Sequence, residues 1–196
     1  MKTLLNILLG IFIVQGFCQG ITTDSYVTPA TNPNLNYALI NDFKGIDFDK
    51  KNSKISFDFI SEDTSGTIGG LDFRIDFNPN DTENALFKGT AEIKTLDTGN
   101  FLRDGHLMWE KFFHKKKYPK IAFSSKQVVA FENNTFKVIG DLTIKGITKE
   151  VIITFTLDDK KLSGKTTIHT SDYSVNIHDE REKNELNIQF YFPILK

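Results

Sequence analysis

An all-β fold, one antiparallel sheet rolled into a barrel of about eight strands with a single short helical insertion, is predicted by three features of this 196-residue chain. From Gly45 onward apolar and polar residues alternate with a period of two, which puts one face of each strand on a core and the other in water. Turn-forming residues punctuate the alternation at short intervals, as in sandwiches and barrels. Only Thr98 to Phe123 breaks the pattern, with apolar residues at helical spacing.

The chain opens with a targeting segment. Lys2 gives a short positive region, Leu4 to Val14 is apolar apart from Asn6 and Gly10, and Gly16-Phe17-Cys18 offers small residues where a signal peptidase reads. Residues 1–18 are therefore read as a signal peptide, with Gln19 starting the mature chain. The apolar run falls short of the roughly 20 residues that span a bilayer; a retained anchor is the alternative. Lipidation of Cys18 is another, set against the bulky Phe17 before it, and an acyl chain would tether the protein. Once Cys18 is removed the exported chain has no cysteine, and its core alone must hold it. Residues 19–44, which include TPATNPNLN, read as a spacer, although Tyr37-Ala38-Leu39-Ile40 would suit an edge strand. Residues 45–196 form one domain.

Within that domain Ile55, Phe57 and Phe59 share one face, with Ser56 and Asp58 between them. Leu71, Phe73, Ile75 and Phe77 alternate with Asp72, Arg74 and Asp76, and Asn78-Pro79-Asn80-Asp81 ends that strand. Phe87, Gly89, Ala91 and Ile93 make the next inward row. After Pro119 the rows continue through Ile121, Phe123 and Val128, a turn at Glu132-Asn133-Asn134, then Phe136, Val138, Gly140, Leu142 and Ile144. Gly146 marks a turn into Val151, Ile153, Phe155 and Leu157. Asp158-Asp159 turns the chain into Leu162, Gly164, Thr166 and Ile168, and after a bend at Ser171-Asp172-Tyr173 the last row is Leu186, Ile188, Phe190 and Phe192.

In the exceptional stretch, Thr98-Gly99-Asn100 supplies a turn and capping oxygens. Phe101, Leu102, Gly105, His106, Met108, Trp109, Phe112 and Phe113 then fall within one arc, with Arg103, Asp104, Glu110 and Lys111 opposite and Leu107 out of place on the polar side. Gly105 weakens a helix by about 1 kcal/mol relative to Ala, so the stretch is one helix or two short ones, and Tyr118-Pro119 ends it. The aromatic face is expected to lie against one end or side of the sheet.

Formal net charge is −1 with both signs interspersed, which lacks the basic footprint of a nucleic-acid binder. The chain has 18 phenylalanines, many of them inward-facing. A core packed solid with rings is one reading. The other is a tunnel, since a barrel of about eight strands has room for one small ligand. Phe57, Phe59, Phe73, Phe77, Phe87, Phe123, Phe136, Phe155 and Phe190, with Trp109 and Phe113 from the helical stretch, are the candidate lining. Gly89, Gly140 and Gly164 lie in the same register and would leave gaps opposite the rings. Such a channel suits a long hydrocarbon, gaining about 0.8 kcal/mol per buried methylene before the costs of association.

The four histidines, His106, His114, His169 and His178, lack metal-ligand spacing, and no cofactor is expected. Arg103, Asp104 and His106 suggest either acid–base chemistry or, preferred, a loop held by charge-assisted hydrogen bonds. No nucleophile elbow or phosphate-cradling glycine loop occurs.

A set of short strings resembles the YceI-like lipid and polyisoprenoid-binding family. They are Thr98-Gly99-Asn100, Arg103-Asp104, His106-Leu107, Phe112-Phe113, Tyr118-Pro119-Lys120-Ile121-Ala122-Phe123, the run from Gly140 to Lys149 and Ser171-Asp172-Tyr173, with Ser53 to Phe57 and Phe77 to Asp81 upstream. The resemblance covers roughly Gly45 to Lys196. It implies an exported protein with an extended lipocalin-like antiparallel barrel, a long isoprenoid or similar lipid inside, and no established catalytic role. Two places depart from the family pattern: the polar, glycine-rich ISEDTSGTIGGLD after Phe59, and His114, where an acid commonly follows the paired phenylalanines. The expected function is a periplasmic or secreted carrier of a long-chain lipid or isoprenoid that binds no nucleic acid; transient membrane contact and a homodimer are compatible with it. The alternatives are an enzyme using Asp104 and His106 on an apolar substrate, and an interaction module with a filled barrel.

Overall fold

The computed structural model describes residues 45–195. The expected signal peptide, the spacer and the edge strand at Tyr37 to Ile40 lie outside the described residues. Phe43–Lys196 is a compact unit.

The fold is one curled antiparallel sheet of nine strands: β1 (Lys54–Phe59), β2 (Thr64–Ile68), β3 (Asp72–Asn78), β4 (Asp81–Glu92), β5 (Lys120–Phe131), β6 (Thr135–Ile144), β7 (Ile147–Leu157), β8 (Lys161–His169) and β9 (Glu185–Pro193). Their order is β2-β1-β9-β8-β7-β6-β5-β4-β3. The two edge strands, β2 and β3, are consecutive in the chain, separated only by Gly69-Gly70-Leu71. Four residue steps reach at most about 14 Å, so the sheet must roll until its edges meet. The seam is stitched further: Thr67 and Asp97 exchange backbone hydrogen bonds of 2.9 Å, and the Glu92 amide donates to the Gly69 carbonyl at 3.1 Å.

The strand absent from the sequence reading is β2. Its polar residues hide the alternation, yet Ile55 to Phe59 pairs with it in register, Phe57 opposite Gly66. In effect β2 and β3 are one stave broken at Gly70, which has φ +58°; a Cβ there would strike the Glu92 side chain at 2.7 Å. Elsewhere the expected rows hold. The β6–β7 connection is a two-residue hairpin in which Lys145 and Gly146 both have positive φ, the geometry whose twist matches the flanking strands.

The helical insertion is shorter than its sequence suggests. Only Phe101–Leu107 is α-helical (α1), capped by the Asn100 side chain, which accepts from the Leu102 and Arg103 amides. Trp109 to Lys117 continues as turns, with His114 at φ +52° and its amide donating to the Trp109 carbonyl. The orientation of α1 is also reversed from expectation. Phe101, Leu102 and Trp109 are exposed, at 81, 62 and 61%. Arg103, Asp104 and Leu107 face the protein instead. Hydrogen bonding explains this: Arg103 donates to Thr98 Oγ1 (2.9 Å), the Thr98 carbonyl (3.2 Å) and Thr64 Oγ1 (2.7 Å), while Asp104 Oδ1 accepts from the Thr98 amide and hydroxyl. These bonds anchor the polar side of the helix and leave its apolar side outward.

The long β8–β9 connection is locked at the same end of the barrel. Asn184 is fully buried; its Oδ1 accepts from the Ile177 and His178 amides and its Nδ2 donates to the His178 and Glu180 carbonyls. Arg181 makes a two-pronged contact with Asp172 at 2.8 and 2.7 Å, which holds that carboxyl below the usual carboxylate range. Next to it Tyr173 is 1% exposed. Burial, with the Asp172 charge second, pushes its hydroxyl up to about 12. In an unfolded chain a tyrosine ionises near 10. Stability is therefore fully present below about pH 10 and should fall by on the order of 2–3 kcal/mol as pH rises toward 12, because only the unfolded chain releases this proton. Denaturant midpoints measured across that window should show the slope in the wild type and lose most of it in Tyr173→Phe.

Candidate functional site

The curled sheet encloses a cavity of about 440 Å³ that borders both hydrophobic clusters of the core. Its walls come from the inward rows of the strands. Of the candidate residues, Phe57, Phe59, Phe73, Phe87, Phe113, Phe123, Phe155 and Phe190 line it, and Phe192 lies with them. Between the rings the wall is aliphatic, with Ile55, Ile75, Leu142, Val151, Ile153 and Ile188. The barrel is thus neither packed solid nor lined by aromatics alone. Aliphatic residues were overlooked as lining because alternation marks a residue as inward without distinguishing wall from core.

Three predicted lining residues lie elsewhere. Phe77 is 2% exposed and packs behind the cavity against Phe87 and Phe136, with ring centroids 5.5 and 4.7 Å apart. Phe136 belongs to that same end of the barrel and borders a separate hollow of about 270 Å³ beside Pro79 and Asp158. Both occupy inward positions on their strands, but near turns, where the tube is filled by side chains. Trp109 lies outside the barrel, stacked edge-on to His106 at 4.6 Å, because the helix turns its apolar side outward.

Two of the three glycines differ from expectation. Gly89 lines the cavity, but Gly140 and Gly164 lie against rings instead of opposing a gap. A Cβ on Gly164 would run into the Phe155 ring, its cross-strand partner, and one on Gly140 would come 2.7 Å from the Phe123 ring. Gly66, unremarked in the sequence, does the same for Phe57. At these positions the missing side chain lets a ring approach the facing strand closely.

Five polar lining residues meet where α1 approaches the β1–β2 turn, Glu62, Thr64, Thr98, Arg103 and His106, while Lys88, Thr90, Thr166 and Thr170 line the cavity from other parts of the wall. His106 is exposed as well as lining, so it stands on the rim. Glu62 Oε1 lies 2.7 Å from His178 Nε2, and the His178 ring stacks on Phe59, joining the β1–β2 turn to the locked β8–β9 connection. Arg103 bridges α1 to β2. Arg103→Ala should lower stability by about 1.5–3 kcal/mol, as expected for hydrogen bonds from a charged donor. Arg103→Lys should recover only part of it, because a single ammonium cannot reach three acceptors set around a planar fork. Urea midpoints of the two variants test this.

Asp104 and His106 are not brought together. They are two residues apart on a helix, a spacing at which side chains diverge. Asp104 is engaged by Thr98, and His106 packs on Trp109. Among the described residues no three His, Cys, Asp or Glu side chains converge as metal ligands.

The YceI-like domain family matches residues 47–193, which is the curled sheet with its cavity. This chain belongs to the YceI-like family. Among curated proteins, the YceI-like chain is 31% identical over 151 residues to a UPF0312 protein of Staphylococcus aureus, covering 69% of this chain and 84% of that one. A UPF0312 protein of Photorhabdus laumondii is 35% identical over 88 residues, and there the match spans only 45% of each chain. Among solved structures, Burkholderia cenocepacia BcnA superposes with a TM-score of 0.69 at 22% identity, covering 76% of the YceI-like chain and all of BcnA. A protein described as a polyisoprenoid binding domain from Saccharophagus degradans superposes with a TM-score of 0.52 at 12% identity, covering 75% and 95%. At those identities both structures speak for the fold, an antiparallel barrel of the lipocalin-like kind.

Proposed function

We propose that this protein holds a long apolar chain inside the barrel, for transport or storage outside the cytoplasm. The guest is a polyisoprenoid, an isoprenoid quinone or a fatty-acid-like lipid. One observation carries this: a mainly apolar cavity of about 440 Å³, walled by phenylalanine rings and aliphatic side chains, with Glu62, Arg103 and His106 lining it near α1. Small-molecule sites are commonly 300–1,000 Å³, mostly apolar, with a few polar groups that fix orientation. The Saccharophagus neighbour, described as polyisoprenoid binding, supports the same ligand class. Export rests on residues 1–18, and with it a periplasmic or secreted location. Catalysis is disfavoured because Asp104 and His106 serve different partners.

Solvent extraction of natively purified protein, followed by mass spectrometry, should release a long-chain lipid or isoprenoid in near-stoichiometric amount. Protein that yields none, and takes up none from a mixed lipid extract, would sink the carrier reading. Cell fractionation with N-terminal sequencing tests the location independently; a mature chain starting at Gln19 is expected.

A further inference from the structure

On the outward side of α1, Phe101 and Leu102 are exposed and do not line the cavity. Leu102 and His106 are one turn apart on the same side of the helix, and the Trp109 ring packs on His106. With Phe101 beside them they form an exposed apolar strip directly on the cavity rim, since His106 and Leu107 of the same helix line the bore. Three large apolar side chains, Phe101, Leu102 and Trp109, exposed at 81, 62 and 61% next to one another, are the composition of an interaction surface.

Charge indicates which partner. The turns after α1 fold back on it, so that the Lys115 amide donates to the Met108 carbonyl and the His114 amide to the Trp109 carbonyl. This brings exposed Lys115, Lys116 and Lys117, with Lys111, beside the strip. Phe101 to Lys120 holds six basic residues and two acidic ones, Asp104 and Glu110, in a chain whose net charge is −1. Asp104 is turned inward onto Thr98. Aromatic and aliphatic side chains flanked by lysines are the composition of a surface that sits in the interface of an anionic bilayer. Among the described residues no helix is long or apolar enough to cross a membrane, so the contact is superficial.

We infer that Phe101, Leu102 and Trp109, ringed by Lys111 and Lys115 to Lys117, dock the cavity rim on an anionic lipid surface. A guest then passes between bilayer and bore without crossing water. The purpose rests on the carrier reading, but the contact itself does not.

Trp109 is the only tryptophan, which makes it a native reporter of the strip. The chain from Gln19, which keeps the whole compact unit Phe43–Lys196, is mixed with vesicles of phosphatidylcholine alone or with phosphatidylglycerol added. Expected are flotation with the anionic vesicles, weakening as salt rises, and a blue shift of Trp109 emission that brominated acyl chains quench. The double variant Phe101→Ser, Leu102→Ser and the charge variant Lys115→Gln, Lys116→Gln, Lys117→Gln should each reduce bound protein roughly tenfold. Their content of extractable lipid should stay unchanged. No flotation and no emission shift overturns the inference, even if lipid is found in the bore. A blue shift that follows protein concentration without vesicles also overturns it, since the strip is then covered by a second copy. Flotation by a protein that never yields lipid upholds the docking surface and removes the carrier reading.

Discussion

Ala91→Trp should purify as a folded protein carrying less than about a tenth of the wild-type lipid. Ala91 is 5% exposed, sits on the cavity wall in β4 opposite Ile121, and is among the smallest side chains there. An indole at that position has nowhere to go but the bore. Overpacking costs about 1–3 kcal/mol in a filled core, but here the adjoining space is empty and the penalty should be at the low end. Circular dichroism and thermal melting establish that the fold survives, and mass spectrometry of the extract gives the occupancy. Val151→Trp, on β7 across another part of the wall, serves as an independent obstruction. If both variants fold and retain full lipid, the guest lies elsewhere and the cavity is not the binding site.

Phe77→Ala should be the most damaging single truncation for stability, at about 3–5 kcal/mol. The ring is 2% exposed and wedged between Phe87 and Phe136 in the filled end of the barrel. Phe57→Ala is the useful contrast. That side chain is only half-buried and borders existing space, so removing it enlarges a cavity rather than creating one. It should cost clearly less, while changing the amount or identity of the extracted lipid. Urea unfolding of the two variants in parallel separates the residues that hold the tube shut at its base from those that shape its bore. Equal losses for both would contradict the division drawn between Phe77 and the lining rings.

Much of this architecture could be read from the chain because period-two alternation is a direct image of a half-buried strand. The rows at Phe73 to Phe77, Phe136 to Ile144 and Leu186 to Phe192 are where alternation places them. Strand β2 escaped because Thr64 to Ile68 carries only one large apolar residue, and its pairing is dictated by Phe57 resting on Gly66 across the ladder. Periodicity cannot register a long-range contact of that kind. The helix was misoriented for a related reason. An apolar arc is normally the buried one, but Arg103 reaches Thr64 and Thr98 through three hydrogen bonds, and those decide which side faces in. Of the candidate lining, Phe77 and Phe136 stand apart from the cavity, because alternation carries no information on position along the tube. The Glu62–His178 contact joins residues 116 positions apart and left no local signal.

The seating of Phe155 on Gly164 ties two facing positions of one hairpin into a single heritable trait. A larger residue at one is tolerable only alongside a smaller one at the other, so drift at either site is constrained by its counterpart. Descendants that change guest need not rebuild the barrel. Exchanging such a ring-and-glycine couple as a unit would recontour the bore from within and leave every strand partner as it was.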